Sequence, residues 1–242
     1  MVKRTHKARR SPPRQGEQAM DLSDRSSAEM RAYYAIRAPY YDAVYLKPER
    51  AKDIAFLSDY LPAAFAGRSV LEVACGTGYW TQHIAASAAH LVAIDTGPEP
   101  LAFAKLRPNA ERVTFRLEDA YNLPADLGEF DGAFAGLWFS HVPIQRRGEF
   151  IPSLHARLQS RAKVIFIDNS EVQCREWPIV ETDAHGNTYQ RRQLRDGSVH
   201  RVLKNFPTED QLKQLLTPVA STFSLRQLDN FWLLEYEVVD AP

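Results

Sequence analysis

The chain has 242 residues, of which 45% are hydrophobic and 25% are charged, a composition typical of globular proteins. No apolar run approaches the roughly 20 residues that a membrane helix needs, and no apolar stretch follows the basic N-terminus. Neither a membrane span nor a secretory signal is therefore expected. The spacing of the two cysteines, Cys75 and Cys174, does not pair them, which favours a reduced, cytoplasmic setting.

The net charge is zero, but it is unevenly distributed along the chain. Residues 1–14 contain six basic side chains and no acidic one, so residues 15–242 carry a net charge of −6. Nucleic acid binding requires the opposite sign, so the folded part is not expected to bind it. Residues 1–24 lack apolar periodicity and are interpreted as a disordered basic tail, with a nucleic-acid-binding or surface-binding arm as the alternative.

Residues 25–62 are predicted to form a helical cap at the N-terminal side of the fold. An aromatic-rich helical pattern is interrupted at Pro39, and a second helix follows Pro48, a residue type that is favourable at a helix start. The buried stripe of this second helix has i, i+3, i+7 spacing and consists of Ile54, Leu57 and Leu61.

Strands and helices alternate over the middle of the chain. Apolar strands are predicted at 69–73, 91–94, 113–115, 130–138 and 164–167, with helical segments between them. Continuous apolar strands joined by helices indicate a parallel sheet that is buried on both faces and has right-handed connections.

The alternation ends after the fifth strand, where an insertion spans 171–206. The pair Asp196-Gly197 predicts a β-hairpin turn between strands at 188–194 and 199–206.

A helix at 208–216 and two antiparallel strands at 222–228 and 231–239 close the chain. Residues 25–242 are therefore predicted to form one α/β domain. Its doubly wound, seven-stranded sheet is mostly parallel, with the last strand antiparallel.

A glycine turn follows the first strand and opens a helix. Gly76 and Gly78 have no Cβ, so a ligand can approach the backbone closely there. Asp95 ends the next strand, nineteen residues after Gly76, where an acid binds ribose hydroxyls in nucleotide-binding βαβ units. The dinucleotide fingerprint also needs a third glycine, and this chain has Thr81 instead. The interpretation as a nicotinamide-dependent oxidoreductase is therefore weakened.

The stretch from Val70 to Trp80 resembles motif I of class I S-adenosylmethionine (SAM)-dependent methyltransferases, in particular the small-molecule members of types 11, 12 and 25. The motif has the form acid-x-x-x-G-x-G, and Glu72 supplies its acid. The family often has a further glycine where this chain has Ala74. The resemblance implies a Rossmann-like fold with SAM as cofactor.

The resemblance also implies a set of cofactor-binding residues. Asp95, with Thr96 beside it, would bind the ribose, and Asp119, flanked by Ala120, would contact the adenine amine. Ala135 lies in the fourth strand, which passes under the methionine part of SAM in the family. Tyr41 resembles the tyrosine that closes the cofactor site. The full predicted set is Tyr41, Glu72, Ala74, Gly76, Gly78, Asp95, Thr96, Asp119, Ala120 and Ala135.

Candidates for the chemistry lie at the carboxyl ends of the fourth and fifth strands. His141 is the candidate general base, because histidine titrates near neutral pH and this position is beside the expected methyl group. Asp168-Asn169 resembles a metal-binding pair of catechol-type O-methyltransferases. However, the acid expected after the fourth strand is missing, so substrate binding is preferred and no metal is predicted. The predicted substrate-binding residues are Tyr33, Tyr34, Trp138, Asp168, Asn169 and Tyr189.

The predicted function is transfer of a methyl group from SAM to an oxygen or nitrogen of a small metabolite, with an aromatic acceptor favoured. The insertion is expected to cover the substrate pocket. The alternatives are a methyltransferase acting on RNA or protein and a non-catalytic SAM-binding protein. No membrane partner is expected, nucleic acid is disfavoured by the acidic core, and the sequence does not define an oligomeric state.

Overall fold

The computed structural model describes residues 22–240. The predicted tail 1–24 lies outside this range except for its last three residues, which belong to the first helix. The helices are α1 (Leu22–Arg37), α2 (Ala51–Ala64), α3 (Thr81–Ile84), α4 (Pro98–Ala104), α5 (Arg147–His155) and α6 (Glu209–Leu216). The strands are β1 (Ser69–Val73), β2 (His90–Asp95), β3 (Val113–Leu117), β4 (Phe130–Gly136), β5 (Leu158–Asn169), β6 (Ile179–Thr182), β7 (Thr188–Gln193), β8 (Val199–Leu203), β9 (Ala220–Gln227) and β10 (Phe231–Val238).

Seven strands form one twisted sheet in the order β3-β2-β1-β4-β5-β10-β9. The strands from β3 to β5 pair in parallel, whereas β10 pairs antiparallel with both β5 and β9. From β1 the chain adds β2 and β3 on one side of the sheet, and it then adds β4 and β5 on the other side. Strands β1 and β4 are therefore neighbours at the point where the strand order reverses. The predicted Rossmann-like sheet with an antiparallel last strand is confirmed.

Apolar side chains fill both faces of this sheet. One core lies under α5 and α6 and is rich in aromatics such as Phe150, Phe166 and Trp232. The other lies under α2 and contains Leu57 and Phe65. Because successive side chains of a strand point to opposite faces, a strand covered on both sides must be apolar throughout.

The insertion after β5 forms a second, antiparallel sheet of three strands in the order β6-β7-β8. The predicted hairpin corresponds to β7 and β8, and β6 is an additional strand. All residues of β6 are at least partly exposed. The strand therefore lacks the alternation of buried apolar and exposed polar residues by which a strand is recognised in a sequence. Helix α1 packs on β8, where Tyr33 contacts Leu194 and Val202.

The glycine turn between β1 and α3 is pressed against α4. Gly78 has φ +74°, and a Cβ at this position would lie 2.8 Å from Cα of Ala104. Such a separation is too short for carbon atoms, so only glycine fits both the backbone conformation and the packing. The predicted helix after the turn is reduced to the four residues of α3.

Replacing Gly78 by alanine is expected to lower the free energy of unfolding more than the same change at Gly67. Both glycines have nearly equal φ angles, +74° and +73°, but a Cβ at Gly67 would meet no atom within 4 Å. The backbone strain is therefore matched, and the clash with Ala104 should add about 1–3 kcal/mol. Denaturant unfolding of the two variants measures the difference, and equal losses would contradict the packing contact.

Candidate active site

The carboxyl ends of the parallel strands border a cavity of about 410 Å³. Its floor is formed by the residues that follow the first four strands, and its roof by α1 and the 3-10 turn Ala38–Val44. Open α/β sheets bind ligands at this edge, and the volume suits a small molecule. Eleven of the predicted site residues line the cavity: Tyr34, Tyr41, Glu72, Ala74, Gly76, Asp95, Thr96, Asp119, Ala120, Trp138 and His141.

The glycine turn and the end of β2 are joined through one carboxylate. Asp95 accepts a hydrogen bond from the Gly76 backbone N–H (2.9 Å) with Oδ2 and from the Gly97 N–H (2.8 Å) with Oδ1. Burial raises the pKa of Asp95, and these two N–H donors oppose that shift. At Gly76 φ is +57° and a Cβ would meet no atom within 4 Å, so the turn leaves open space toward the cavity.

Ala74 also has a left-handed backbone, with φ +53°. A residue with a Cβ loses roughly 1–2 kcal/mol in this conformation, which accounts for the glycine that related motifs often carry here. Leu137, just after β4, has φ +56° and lines the cavity. No sequence signal marks Leu137, because leucine rarely adopts this conformation.

Glu72 is the buried acid of the site. Its side chain lines the cavity, is 1% exposed, and has one oxygen, Oε2, without a hydrogen-bond partner in the described structure. Burial, reinforced by the charge of Asp95, raises the pKa of Glu72 to about 8. An unpartnered buried carboxyl facing a cavity is suited to bind a cationic group of a ligand.

The roof is tied to the glycine turn by polar contacts around Asp42. The Thr77 hydroxyl donates to Asp42 Oδ1 (2.9 Å), and Arg107 pairs with the same carboxylate. Arg107 also donates to the Thr77 carbonyl (2.8 Å). The 3-10 turn that carries Tyr41 is thereby held over the cavity.

Two predicted cofactor residues do not line the cavity. Gly78 faces α4, as described above. Ala135 is fully buried in the sheet core, because the strand pleat turns it away, and the next residue, Gly136, reaches the cavity instead. The structure therefore gives these two residues a supporting position behind the cavity lining.

Tyr33 and Tyr189 were predicted to bind substrate, but the structure places both in the protein interior away from the cavity. Tyr33 belongs to the contact between α1 and the insertion, and its hydroxyl accepts from Arg37 (2.8 Å). Tyr189 lies in the three-stranded sheet and donates to Asp183 (2.9 Å). Aromatic side chains at helical or strand spacing serve packing here.

Asp168 likewise does not line either cavity, because its carboxylate is completely buried and paired. Lys204 Nζ lies 2.8 Å from Oδ1, the Ser140 hydroxyl donates to the same oxygen (2.9 Å), and the Ser140 N–H donates to Oδ2 (2.8 Å). Asn169 does not line the large cavity but a second, smaller one beside it. Within residues 22–240, no cluster of three or more metal-binding side chains is present.

His141 lies at the junction of the two cavities and makes two hydrogen bonds. Its Nδ1 faces the carbonyl oxygen of Leu203, which can only accept, so Nδ1 carries the proton. Its Nε2 therefore accepts from the Tyr34 hydroxyl, 2.8 Å away. Burial and the charge of Lys204 lower the pKa of His141 to about 3. This environment opposes titration of the histidine near neutral pH.

Comparison with known proteins supports a methyltransferase domain over part of the chain. A family model described as a methyltransferase domain matches residues 70–161. The chain is 36% identical over 87 residues to demethylmenaquinone methyltransferase of Clavibacter sepedonicus, which covers 36% of each protein. It is 32% identical over 85 residues to ubiquinone biosynthesis O-methyltransferase of Marinobacter nauticus, covering 33% of this chain and 36% of that protein. The matches span little more than a third of these relatives.

Solved structures match over most of the chain. A complex of DhpI with SAH superposes with a TM-score of 0.74 at 26% identity, covering 89% of this chain and 98% of that one. A complex of DhpI with SAM and HEP gives a TM-score of 0.71 at 28% identity, covering 87% and 97% of the two chains.

Together with the solved neighbours, the seven-stranded sheet identifies a Rossmann-like methyltransferase fold. The match to the methyltransferase domain model and the solved neighbours both support the resemblance to class I SAM-dependent methyltransferases that motif I indicates. The cavity presents the buried Glu72 carboxyl and the open space at Gly76 to a ligand.

His141 is expected to stay neutral, with its proton on Nδ1, from about pH 8 down to about pH 5, because its pKa is about 3. Nitrogen chemical shifts of the imidazole measure both the charge and the tautomer. In Tyr34→Phe the Nε2 shift should change while the proton stays on Nδ1, since Leu203 still accepts from it. A titration midpoint near the unperturbed value of about 6.5 would contradict this environment.

Proposed function

We propose that the protein transfers the methyl group of SAM to an oxygen or nitrogen of a small metabolite. The observation that carries this proposal is that two cavities adjoin at the end of the parallel strands. Tyr34, Tyr41, Leu137 and His141 line both the large cavity, which suits the cofactor, and the small one beside it. An acceptor bound at these shared residues would be enclosed by protein, which favours a small molecule over RNA or a protein chain.

The cofactor contacts proposed here follow the lining of the large cavity. Glu72 would bind a cationic group of the cofactor, Asp95 the ribose and Asp119 the adenine amine. Asp119 is exposed and accepts from the Tyr121 N–H (3.0 Å), which fixes the direction of its carboxylate. The residues proposed to pack against the cofactor are Tyr41, Ala74, Gly76, Thr96 and Ala120.

Bound SAM supplies a methyl group on a sulfonium centre, so the chain's main task is to align the acceptor with it. Alignment of two reactants contributes about 7–11 kcal/mol to lowering a barrier. Tyr34 and His141 are proposed to do this as a hydrogen-bonded pair at the cavity junction. With a pKa of about 3, His141 is a weak proton acceptor, so an acceptor atom that is already unprotonated suits the site best.

Two further observations agree with a small acceptor. The insertion contributes Leu203 to the wall of the large cavity, so it takes part in enclosing the site. The curated relatives are named for ubiquinone and menaquinone biosynthesis, and one solved neighbour contains HEP beside SAM. Trp138 lines the cavity, so the proposal still includes an aromatic methyl acceptor.

Location and nucleic acid binding follow from general features. Within residues 22–240 no helix has the length and hydropathy required to cross a membrane. We propose a cytoplasmic location, which agrees with the two unpaired cysteines. The net charge of −6 over residues 15–242 disfavours nucleic acid as the acceptor.

Asp95→Ala is expected to weaken SAM binding at least about tenfold, a loss of roughly 1.4 kcal/mol, because the ribose and the glycine turn lose their common acceptor. Calorimetric titration with SAM, with NAD in parallel, measures this. Asp126→Ala, which removes an exposed carboxylate outside the cavity, should bind SAM normally. Unchanged affinity in Asp95→Ala would contradict the cofactor contact, and binding of NAD alone would contradict the proposed function.

SAM affinity is expected to rise between about pH 6 and about pH 8. Glu72 has a pKa of about 8 in the free protein, so it is mostly protonated below that pH, and a cationic ligand favours its ionised form. Binding then releases a proton, and affinity increases by at most about tenfold per pH unit. Glu72→Gln removes the titrating group, so its affinity should depend less on pH. Identical pH profiles would contradict this contact.

A further inference from the structure

The small cavity lies on the far side of Tyr34, Tyr41, Leu137 and His141 from the large one. These four residues line both cavities, so the two spaces adjoin and are separated only by these side chains. The small cavity has a volume of about 20 Å³, which admits one compact group rather than a ring.

Four cationic side chains converge on this small space. They are Arg37 of α1, Arg50 before α2, Arg192 of β7 and Lys204 just after β8. Three of them are deeply buried, with exposed fractions of 5% for Arg50, 4% for Arg192 and 0% for Lys204. The chain therefore brings positive charge from separate elements to one point.

The negative charge near this point is already engaged. Asp168 pairs with Lys204 at 2.8 Å, and Glu176 pairs with Lys47. No carboxylate of residues 22–240 forms an ion pair with any of the three arginines.

The arginines instead have neutral partners. Arg37 donates to the Tyr33 hydroxyl (2.8 Å), and Arg50 lies over the Phe231 ring at 5.2 Å. The Arg192 guanidinium donates to the side-chain oxygen of Gln190 at 2.6 and 3.1 Å. Neutral partners orient a guanidinium without cancelling its charge.

Buried charge without a counter-charge is unfavourable, and arginine does not lose its proton at any physiological pH. The effect is visible on Lys204, whose pKa is lowered to about 8 by burial and by the charges of Arg192 and Arg50. An anion in the small cavity would offset this excess of positive charge. Guanidinium groups also match the oxygens of carboxylates and phosphates in a planar, two-bond geometry.

One unpartnered hydrogen-bond acceptor also lines the small cavity. Asn169 is 4% exposed, and its Oδ1 has no hydrogen-bond donor within the described structure. It lines the small cavity together with the cations. A group that combines an oxyanion with one hydroxyl or N–H donor would satisfy both kinds of atom.

We propose that the small cavity binds a compact oxyanion group of the methyl acceptor, a carboxylate or a phosphoryl-type group, and that the substrate is therefore a small organic acid. The proposal rests on the proposed function for the identity of the acceptor. The observation behind it is the convergence of Arg37, Arg50, Arg192 and Lys204 on one buried space. Anchoring by these groups would place the rest of the acceptor at Tyr34 and His141.

The test is calorimetric titration of the protein, saturated with S-adenosylhomocysteine, with inorganic phosphate, acetate and acetamide at constant ionic strength. Phosphate or acetate is expected to bind at least tenfold more tightly than acetamide, which has the shape of acetate without its charge. The tighter anion identifies the class of headgroup. Equal binding of acetate and acetamide, with no binding of phosphate, would overturn the proposal.

Variants locate the anion. Arg192→Met should weaken binding of the preferred anion at least tenfold, and Arg192→Lys should restore part of it. Arg191→Met is the matched control, because Arg191 is the neighbouring residue of β7 and is exposed on the opposite face. Arg50→Met provides a second, independent loss should Arg192→Met fail to fold. Normal anion binding in both methionine variants would place the anion elsewhere and overturn the proposal.

Binding of the cofactor is measured separately in the same variants. Arg192→Met and Arg50→Met should bind SAM as the unmodified protein does, since neither residue lines the large cavity. If SAM binds but the anions do not, only the anion site is wrong. If the unmodified protein does not bind SAM, the proposed function fails, and anion binding by the cationic cavity still tests the site itself.

Discussion

The arrangement of the active site depends on one buried ion pair, between Lys204 and Asp168. Asp168 ends β5, Ser140 follows β4, and Lys204 follows β8, so this single contact joins the insertion to two strands of the main sheet. The adjacent Asn205 N–H donates to the Ser140 carbonyl at 2.8 Å, so a second contact joins the insertion to the segment after β4. Burying such a pair contributes little net stability, and we infer that its value here is positional.

That position determines the chemistry available to His141. The carbonyl that accepts the Nδ1 proton belongs to Leu203, the residue before Lys204, so the acceptor that sets the histidine's tautomer is adjacent in the chain to the ion pair. The same lysine lowers the histidine's pKa. A group that the sequence marks as a base is therefore held as a neutral hydrogen-bond acceptor for Tyr34. Function at such a strand end depends on the neighbours that folding supplies, and residue type alone does not specify them.

The sequence predicted the sheet and most of the cofactor cavity, because both depend on local signals. Apolar runs defined the strands, and Gly76, Asp95 and Asp119 lie at strand ends that the fold necessarily brings together. The cationic side chains of the small cavity were not predicted. Lys204 and Arg192 belong to strands of polar sequence, where charged side chains are normally solvated, and only the three-dimensional fold turns them inward. Tyr33 and Tyr189 illustrate the reverse, since their packing roles have the same sequence signature as ligand contacts.

The acids of the large cavity and the cations of the small one come from different parts of the chain. The glycine turn and the acids that follow β1, β2 and β3 belong to the first half of the sheet, whereas the cationic wall comes from α1, the segment before α2, and the inserted strands β7 and β8. Arg50 and Arg192 line the small cavity alone, so substitutions at these two positions leave the lining of the large cavity unchanged. A change in the charge of the small cavity therefore does not require a change in the glycine turn or in the acids that follow the first three strands.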